Sequence, residues 1–491
     1  MSDTSVLIAV AVAVVIHYLF KKYVDATKDV PDLYLSEQSL VEATRLSDQS
    51  AIYKSNKLDF GNGLRVGLDI RYNHYKIRHG NPCDVWELLV AGLKSNPQKL
   101  MVLNNEVIKI SELNFKVNRV TAYLDANGIR NIAVKYSDFM ASIDHTVILF
   151  ACLINAVTVT FYQTSDDLQT LEVDHFGDQL LQEVDSILSA TGELFTYENI
   201  YNFDKDKGAR IRVVKKLDGS TIRTTEYLAV NLVSNIASTL KHLPPNETIG
   251  PKDTILVTNV NPHTSLVNTL CKVLTGFVTN SSVIITNSSS WENLVSYNPS
   301  VMFSDSSVYS KGELVHKLQR GLSVVGRTKY KLSMYFLSQG KFSRFGSSNL
   351  RLVYFTTIVG GPESCYFATA KLNQLRALLN ARVIVEYGYD NLIGPVVLSD
   401  LYDYRVLDGA ITENLVGSGC IFQAVEIKLV NLKSDNFGDI MVRGYNIGKV
   451  NNYIIGGGSG ERVNKDNEGF MLLEGVKGKW GSDGCLYIYG E

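Results

Sequence analysis

From Pro82 onward the chain alternates apolar residues at helical spacing with short runs of β-branched and aromatic residues, a pattern that fits a layered α/β architecture. Within 111–128, Leu113, Phe115, Val117, Val120, Tyr123 and Leu124 recur at helical spacing, with Ser111 as the expected N-cap and Gly128 as the stop. Residues 143–156 read as a buried helix and 157–162 as the strand that follows. Residues 254–260 and 282–286 read as further core strands. After Leu401 the pattern changes to short alternating strands punctuated by glycine, among them 425–430, 439–443 and 485–489. That change predicts a small β-barrel-like subdomain beside two α/β subdomains spanning 82–400.

A length of 491 residues exceeds what one core usually organises, so several packed subdomains are expected. With 45% apolar and 20% charged residues the composition is that of a folded globular protein. Forty-eight basic side chains against fifty acidic ones give no electrostatic reason to invoke nucleic acid. The six cysteines stand far apart with no CxxC pair, and read as reduced, mostly buried thiols. No His/Cys/Asp spacing suggests a metal site, and no GxSxG suggests a hydrolase.

The first twenty-odd residues contain SVLIAVAVAVVIHYLF at 5–20, whose clearly polar members are Ser5 and His17. As a helix this run covers ~24 Å, near the short limit for a bilayer core of ~30 Å. A secretory signal would place its basic residues before the apolar run, whereas here Asp3 precedes and Lys21-Lys22 follow. The run therefore reads as a membrane anchor over 1–25, and the positive-inside rule puts the remaining chain on the cytosolic face. Three sequons, at Asn246, Asn280 and Asn287, offer a test of that side. Residues 26–81, with the turn Gly61-Asn62-Gly63, read as a polar lead-in that wraps the body.

Several segments, taken in order, resemble the large N-terminal domain of the adenylate-forming (AMP-binding) superfamily, which includes the acyl-CoA synthetases. KISELNFKVNRVTAYLDANGIR (109–130) is similar to that family's early helix. SNLRLVYFTTIVGGPES (348–364) resembles its "LR.v..GGA" strand and turn, and ARVIVEYGYDN (381–391) its "YG.TE" strand. VGSGCIFQAVEIKLVN (416–431), GDIMVRG (438–444) and GFMLLEGVKGKWGSDGCLYIYGE (469–491) resemble the closing "vG.p.pg.e.kivD", "GEi.vrG" and "TGD" segments.

Adenylation joins a carboxylate to the α-phosphate of ATP, so a site must cradle phosphates, hold Mg²⁺ and fix the ribose. The resemblance places the phosphate loop at IRVVKKLDGST (211–221), and hence at Lys215, Lys216, Gly219, Ser220 and Thr221. The residues themselves read differently: Val213, Val214 and Leu217 are bulky, and Asp218-Gly219 between alternating runs signals a hairpin ahead of a helix beginning near Thr225. The matching positions of the family's Thr and Mg²⁺-binding Glu are Asp390 and Asn391, and Leu473, Glu474 and Gly475 stand where Thr, Gly and Asp are expected. Gly360, Gly361, Tyr387 and Gly388 resemble the parts that line the adenine and acyl pockets. His263 falls near the acyl site by the same resemblance, and by itself reads as a buried structural histidine.

The chain closes at Gly490-Glu491, where the resemblance sets the hinge, so the lid domain that carries the adenylation lysine is expected to be absent. No catalytic residue, metal ligand or cofactor is expected, and binding of ATP and Mg²⁺ is doubtful on these departures. The expectation is a membrane-anchored, catalytically degenerate acyl-CoA-synthetase-like protein, a scaffold or regulator in lipid metabolism at the endoplasmic reticulum membrane. Its partners would be that membrane and either a lipid-metabolic enzyme or an acyl ligand. The mitochondrial outer membrane and the lipid droplet are the other locations considered. An active ligase with an altered site or a partner-donated lid, and a lipid-transfer protein, are the competing functions.

Overall fold

The computed structural model describes residues 3–57, 80–168, 171, 173–198, 202–217, 221–260, 262–360, 365–407, 414–454, 461–462 and 465–490. Gly61-Asn62-Gly63, Asp218-Gly219-Ser220 and Gly361 lie outside the described residues, as does the side chain of His263.

Five strands form the centre of the larger sheet: Ser282–Thr286, Thr254–Thr258, Val301–Asp305, Leu352–Ile358 and Arg382–Gly388, all parallel. Their sequences are near-continuous apolar runs, and every residue of Arg382–Gly388 is buried. That is what a parallel sheet covered on both faces requires. Pro395–Leu398 and Leu415–Ile421 continue it antiparallel, and further C-terminal strands on that side, with Leu100–Leu103 and Glu106–Lys109 beyond Ser282–Thr286, bring it to fifteen together with two strands of the lead-in. Two short strands of the lead-in, Ser39–Val41 and Tyr53–Ser55, complete one edge, where Tyr53 stacks on Trp480 with ring centroids 3.7 Å apart.

A second, seven-stranded sheet holds Asn131–Lys135 and Thr158–Tyr162 in parallel, then Ala209–Lys216 and Thr221–Leu228. Lys449–Ile454 then pairs with Thr221–Leu228, so a strand from beyond residue 401 belongs to this sheet rather than to the larger one.

Helices pack between and over the sheets. Ile143–Ile154 begins on Ser142, whose Oγ accepts from the His145 amide at 3.3 Å, and buries nearly all of its length. Ile110–Ala126 follows straight from the strand Glu106–Lys109, so Lys109 and not Ser111 holds the N-cap position, and Ser111 is buried in the first turn. Gly128, at φ +65°, ends that helix in a conformation that suits glycine. All six cysteines are buried and free.

The N-terminal helix runs Asp3–Ala26, about 36 Å, and so extends past the apolar run through Lys21, Lys22 and Tyr23. Its stretch Val6–Ala26 is long and apolar enough to cross a membrane by length and composition. Apart from Val24 its described side chains are exposed.

Candidate functional site

Ala209–Lys216 and Thr221–Leu228 form an antiparallel hairpin in which Val213 opposes Thr225 and Lys215 opposes Arg223. Period-two alternation then sorts the side chains. Val213, Lys215, Thr225 and Tyr227 face a cleft, while Val214 is fully buried on the other side beside the Arg212–Glu226 ion pair of 2.8 Å. The hairpin is flanked by Thr158–Tyr162 on one side and Lys449–Ile454 on the other. Its backbone therefore serves two ladders, whereas a phosphate cradle needs successive free amides turned toward one point. The helix expected near Thr225 begins instead at Ala229, because Thr221–Leu228 completes the hairpin first. Lys216 is exposed at the end of its strand, and Thr221 opens the return strand.

Across the cleft, Arg382–Gly388 leads into Tyr389, Asp390 and Asn391. Lys215 Nζ meets Asp390 Oδ1 at 2.5 Å, and Thr225 Oγ1 donates to Asn391 Oδ1 at 2.7 Å. Asn391 holds φ +70°, which Asn tolerates better than most residues. Gly360, at φ +78°, lets the chain pass close by: a Cβ there would lie 3.6 Å from the Tyr389 ring and 3.7 Å from the Glu474 carbonyl. Tyr389 donates to that carbonyl at 2.8 Å, and burial, with the Glu474 charge second, pushes its phenol up to about 12. Arg223 stands 3.9 Å from the Glu474 carboxylate. The structure thus brings Lys215, Thr225, Asp390 and Asn391 together around one crevice, and sets Gly360 and the Glu474 carbonyl against Tyr389, which also lines it. The space left there is about 30 Å³, room for a water or two, whereas small-molecule sites run to ~300–1,000 Å³.

Other expected residues lie elsewhere. Tyr387 points to the opposite face of its strand, beside Arg376, Ser399 and Cys485, with its ring over Gly417. Gly388 is packed against Ile358 and the Gly394 carbonyl. His263 sits in the first turn of Pro262–Val278. A wider hollow of about 480 Å³ opens away from the cleft, between Lys28, Asp32, Leu337–Gly340, Arg405 and Asp483. Asp138, His145 and Asp178, unrelated in spacing, place one potential metal-ligand atom each within 4.8 Å of one another. Lys135 already neutralises Asp178 at 2.9 Å.

Behind the cleft is a buried polar network that sequence reasoning missed. Lys272, 2% exposed, meets Glu386, 1% exposed, at 2.5 Å. The second Glu386 oxygen accepts from Thr356 at 2.8 Å. Tyr354 and the Nε2 of His242 are hydrogen-bonded at 2.9 Å, and burial, reinforced by Lys272, lowers the imidazole to about 4. The one signal available was a lysine in the middle of an otherwise apolar helix, Pro262–Val278. The network ties that helix to the strands Leu352–Ile358 and Arg382–Gly388 and keeps its charges away from the crevice.

No family model matches the chain. An uncharacterised protein of Saccharomyces cerevisiae is 23% identical over 95% of each chain. Among solved structures, the luciferase-like enzyme of the nonluminescent mealworm Zophobas morio superposes with a TM-score of 0.57 at 13% identity, covering 87% of this chain and 99% of that one. MatB of Rhodopseudomonas palustris gives 0.57 at 15% identity over 84% of this chain and 78% of that one. The o-succinylbenzoate CoA synthetase MenE of Bacillus subtilis gives 0.53 at 12% over 82% and 78%. The chain has the fold of the adenylate-forming, AMP-binding superfamily.

Proposed function

We propose that this protein is a catalytically degenerate member of that fold, held to the endoplasmic reticulum membrane by its N-terminal helix, and that it acts as a scaffold or regulator in lipid metabolism with its body in the cytosol. The observation that carries the loss of catalysis is the hairpin. Where adenylation needs an anion cradle, Val213 and Thr225 sit in paired strands. The lysine on that face is already engaged by Asp390. Opening the crevice would require breaking that ion pair and the Thr225–Asn391 hydrogen bond, and the strands beneath them are paired on both sides among the described residues. Asn391, neutral and itself hydrogen-bonded, offers Mg²⁺ far less than a carboxylate does. The anchor rests on a helix whose apolar side chains ahead of Phe20, Leu7 and Ile16 among them, are exposed.

The test uses the full chain in detergent. Calorimetric titration with Mg-ATP, and pyrophosphate exchange with a panel of fatty acids, should give neither saturable binding nor exchange. Exchange dependent on a carboxylic acid would overturn the proposal, and saturable acyl-CoA binding without ATP binding would replace it with a lipid-transfer role.

A further inference from the structure

Positions 314–362 contain eight Lys or Arg and no Asp or Glu, in a chain that as a whole carries 48 basic against 50 acidic side chains. At the centre of this stretch is the helix Val324–Ser338, capped by Ser323, whose Oγ accepts from the Gly326 amide at 3.1 Å. Only Ser333, Phe336 and Leu337 of its fifteen residues are buried. Val324 is 80% exposed and Val325 64%, at its N-terminal tip, and Leu332 and Tyr335 are each about two-fifths exposed. Arg320, Arg327, Lys329 and Lys331 are exposed as well, and among the described residues none of the four has an ion-pair partner. A helix this thinly packed gains little stability from its own body. Apolar side chains among unpaired cations are the pattern of a helix that lies in a lipid interface.

Its place in the fold supplies the second argument. Phe20 of the N-terminal helix stacks on Tyr335 at 6.0 Å and meets Phe336 at 6.2 Å. Further along, Thr27 Oγ1 accepts from Lys341 Nζ at 2.8 Å, and the Asp29 amide donates to the Gly340 carbonyl at 3.1 Å. The two segments advance in the same direction past this contact. Val324 and Val325, at the opposite end of their helix from Tyr335, therefore lie on the side of the crossing that the apolar span occupies.

We infer that Val324–Ser338 is a second membrane contact, in which the two valines enter the interface and Arg320, Arg327, Lys329 and Lys331 engage anionic headgroups of the membrane that holds the N-terminal helix. This rests on the anchor reading above and adds to it a fixed orientation of the body and a requirement for anionic lipid.

The full chain reconstituted in nanodiscs tests it. Because the native cysteines are buried, a Val325→Cys variant takes an environment-sensitive NBD label at one place, and a Val12→Cys variant reports the span. In discs of phosphatidylcholine with phosphatidylserine, the label at 325 should shift to the blue and lose severalfold of its quenching by aqueous iodide. In pure phosphatidylcholine it should not. High salt, or the triple variant Arg327→Glu, Lys329→Glu, Lys331→Glu, should restore quenching. A label at 325 equally quenched in both lipids, while that at 12 is protected, overturns the inference and leaves the anchor standing. A label at 12 open to iodide overturns both. Protection at 325 that appears only when cytosolic protein is added overturns the inference in favour of an acidic protein partner.

Discussion

Replacing Lys272 by methionine removes a charge while nearly preserving the length of the side chain, and so isolates the buried ion pair from packing. In the wild type Glu386 has two partners, Lys272 at 2.5 Å and Thr356 at 2.8 Å, and neither member of the pair exceeds 2% exposure. Without the ammonium, Glu386 keeps one neutral donor in a site that water does not reach. Breaking a fully buried pair from one side costs about 3–5 kcal/mol, roughly a fifth or more of the ~5–15 kcal/mol that holds a typical protein folded. The Lys272 ammonium also lies 4.9 Å from the Phe303 ring centroid, a smaller loss in the same direction. The double variant Lys272→Met, Glu386→Gln retains a group that accepts from Thr356 and no longer buries a lone charge. It should recover all but about 1 kcal/mol. Urea titration in detergent, followed through the fully buried Trp86, gives the three stabilities needed for a double-mutant cycle. A single variant within about 1 kcal/mol of wild type, or a double variant no better than the single, would refute the reasoning.

Buried His242 gives a pH signature. Its folded value, about 4, lies below the usual 6.5, so the unfolded chain binds the proton first, and the contribution is complete above about 6.5 and lost as pH falls toward 4. Stability measured by urea titration should drop by up to about 3 kcal/mol through this window from this residue alone, and His242→Gln should flatten the slope; an unchanged slope would mean the imidazole is not held neutral. The sequons divide as well. Asn246 and Asn287 are exposed, whereas Asn280 is held by Lys99 at 3.2 Å and by the Leu88 carbonyl at 3.3 Å. Endoglycosidase treatment of the protein from eukaryotic cells should leave its mobility unchanged, and a shift abolished by Asn246→Gln or Asn287→Gln would place the body in the lumen.

The hairpin was legible because Asp218-Gly219 between β-branched runs is a local signal, and local signals survive in sequence. The central strands were legible for the same reason: burial on both faces leaves an uninterrupted apolar run. The helix start at Ser111 failed because a strand leads directly into Ile110 and leaves no room for a side-chain cap. The motif places Tyr387 in the cleft, but within its strand the ring lies on the opposite face, beside Arg376 and Ser399, while Asp390, beyond the strand's end, lines the crevice. The Lys272–Glu386 pair joins residues 114 positions apart, and no periodicity encodes such a distance. Lys215 and Asp390, 175 apart, meet for the same non-local reason, although each had been singled out separately.

The hairpin strand Thr221–Leu228 receives its outer neighbour, Lys449–Ile454, from a point more than two hundred residues further along the chain. During synthesis at ~5–20 residues per second, that flank would wait on the order of 10–45 s with its ladder groups open to any passing strand. The nascent protein therefore has a window in which a chaperone, or misassembly with another copy, competes for the place that its own late segment will take. Shortened products that stop before residue 449 never leave that window, and they should accumulate as aggregates rather than as smaller folded forms.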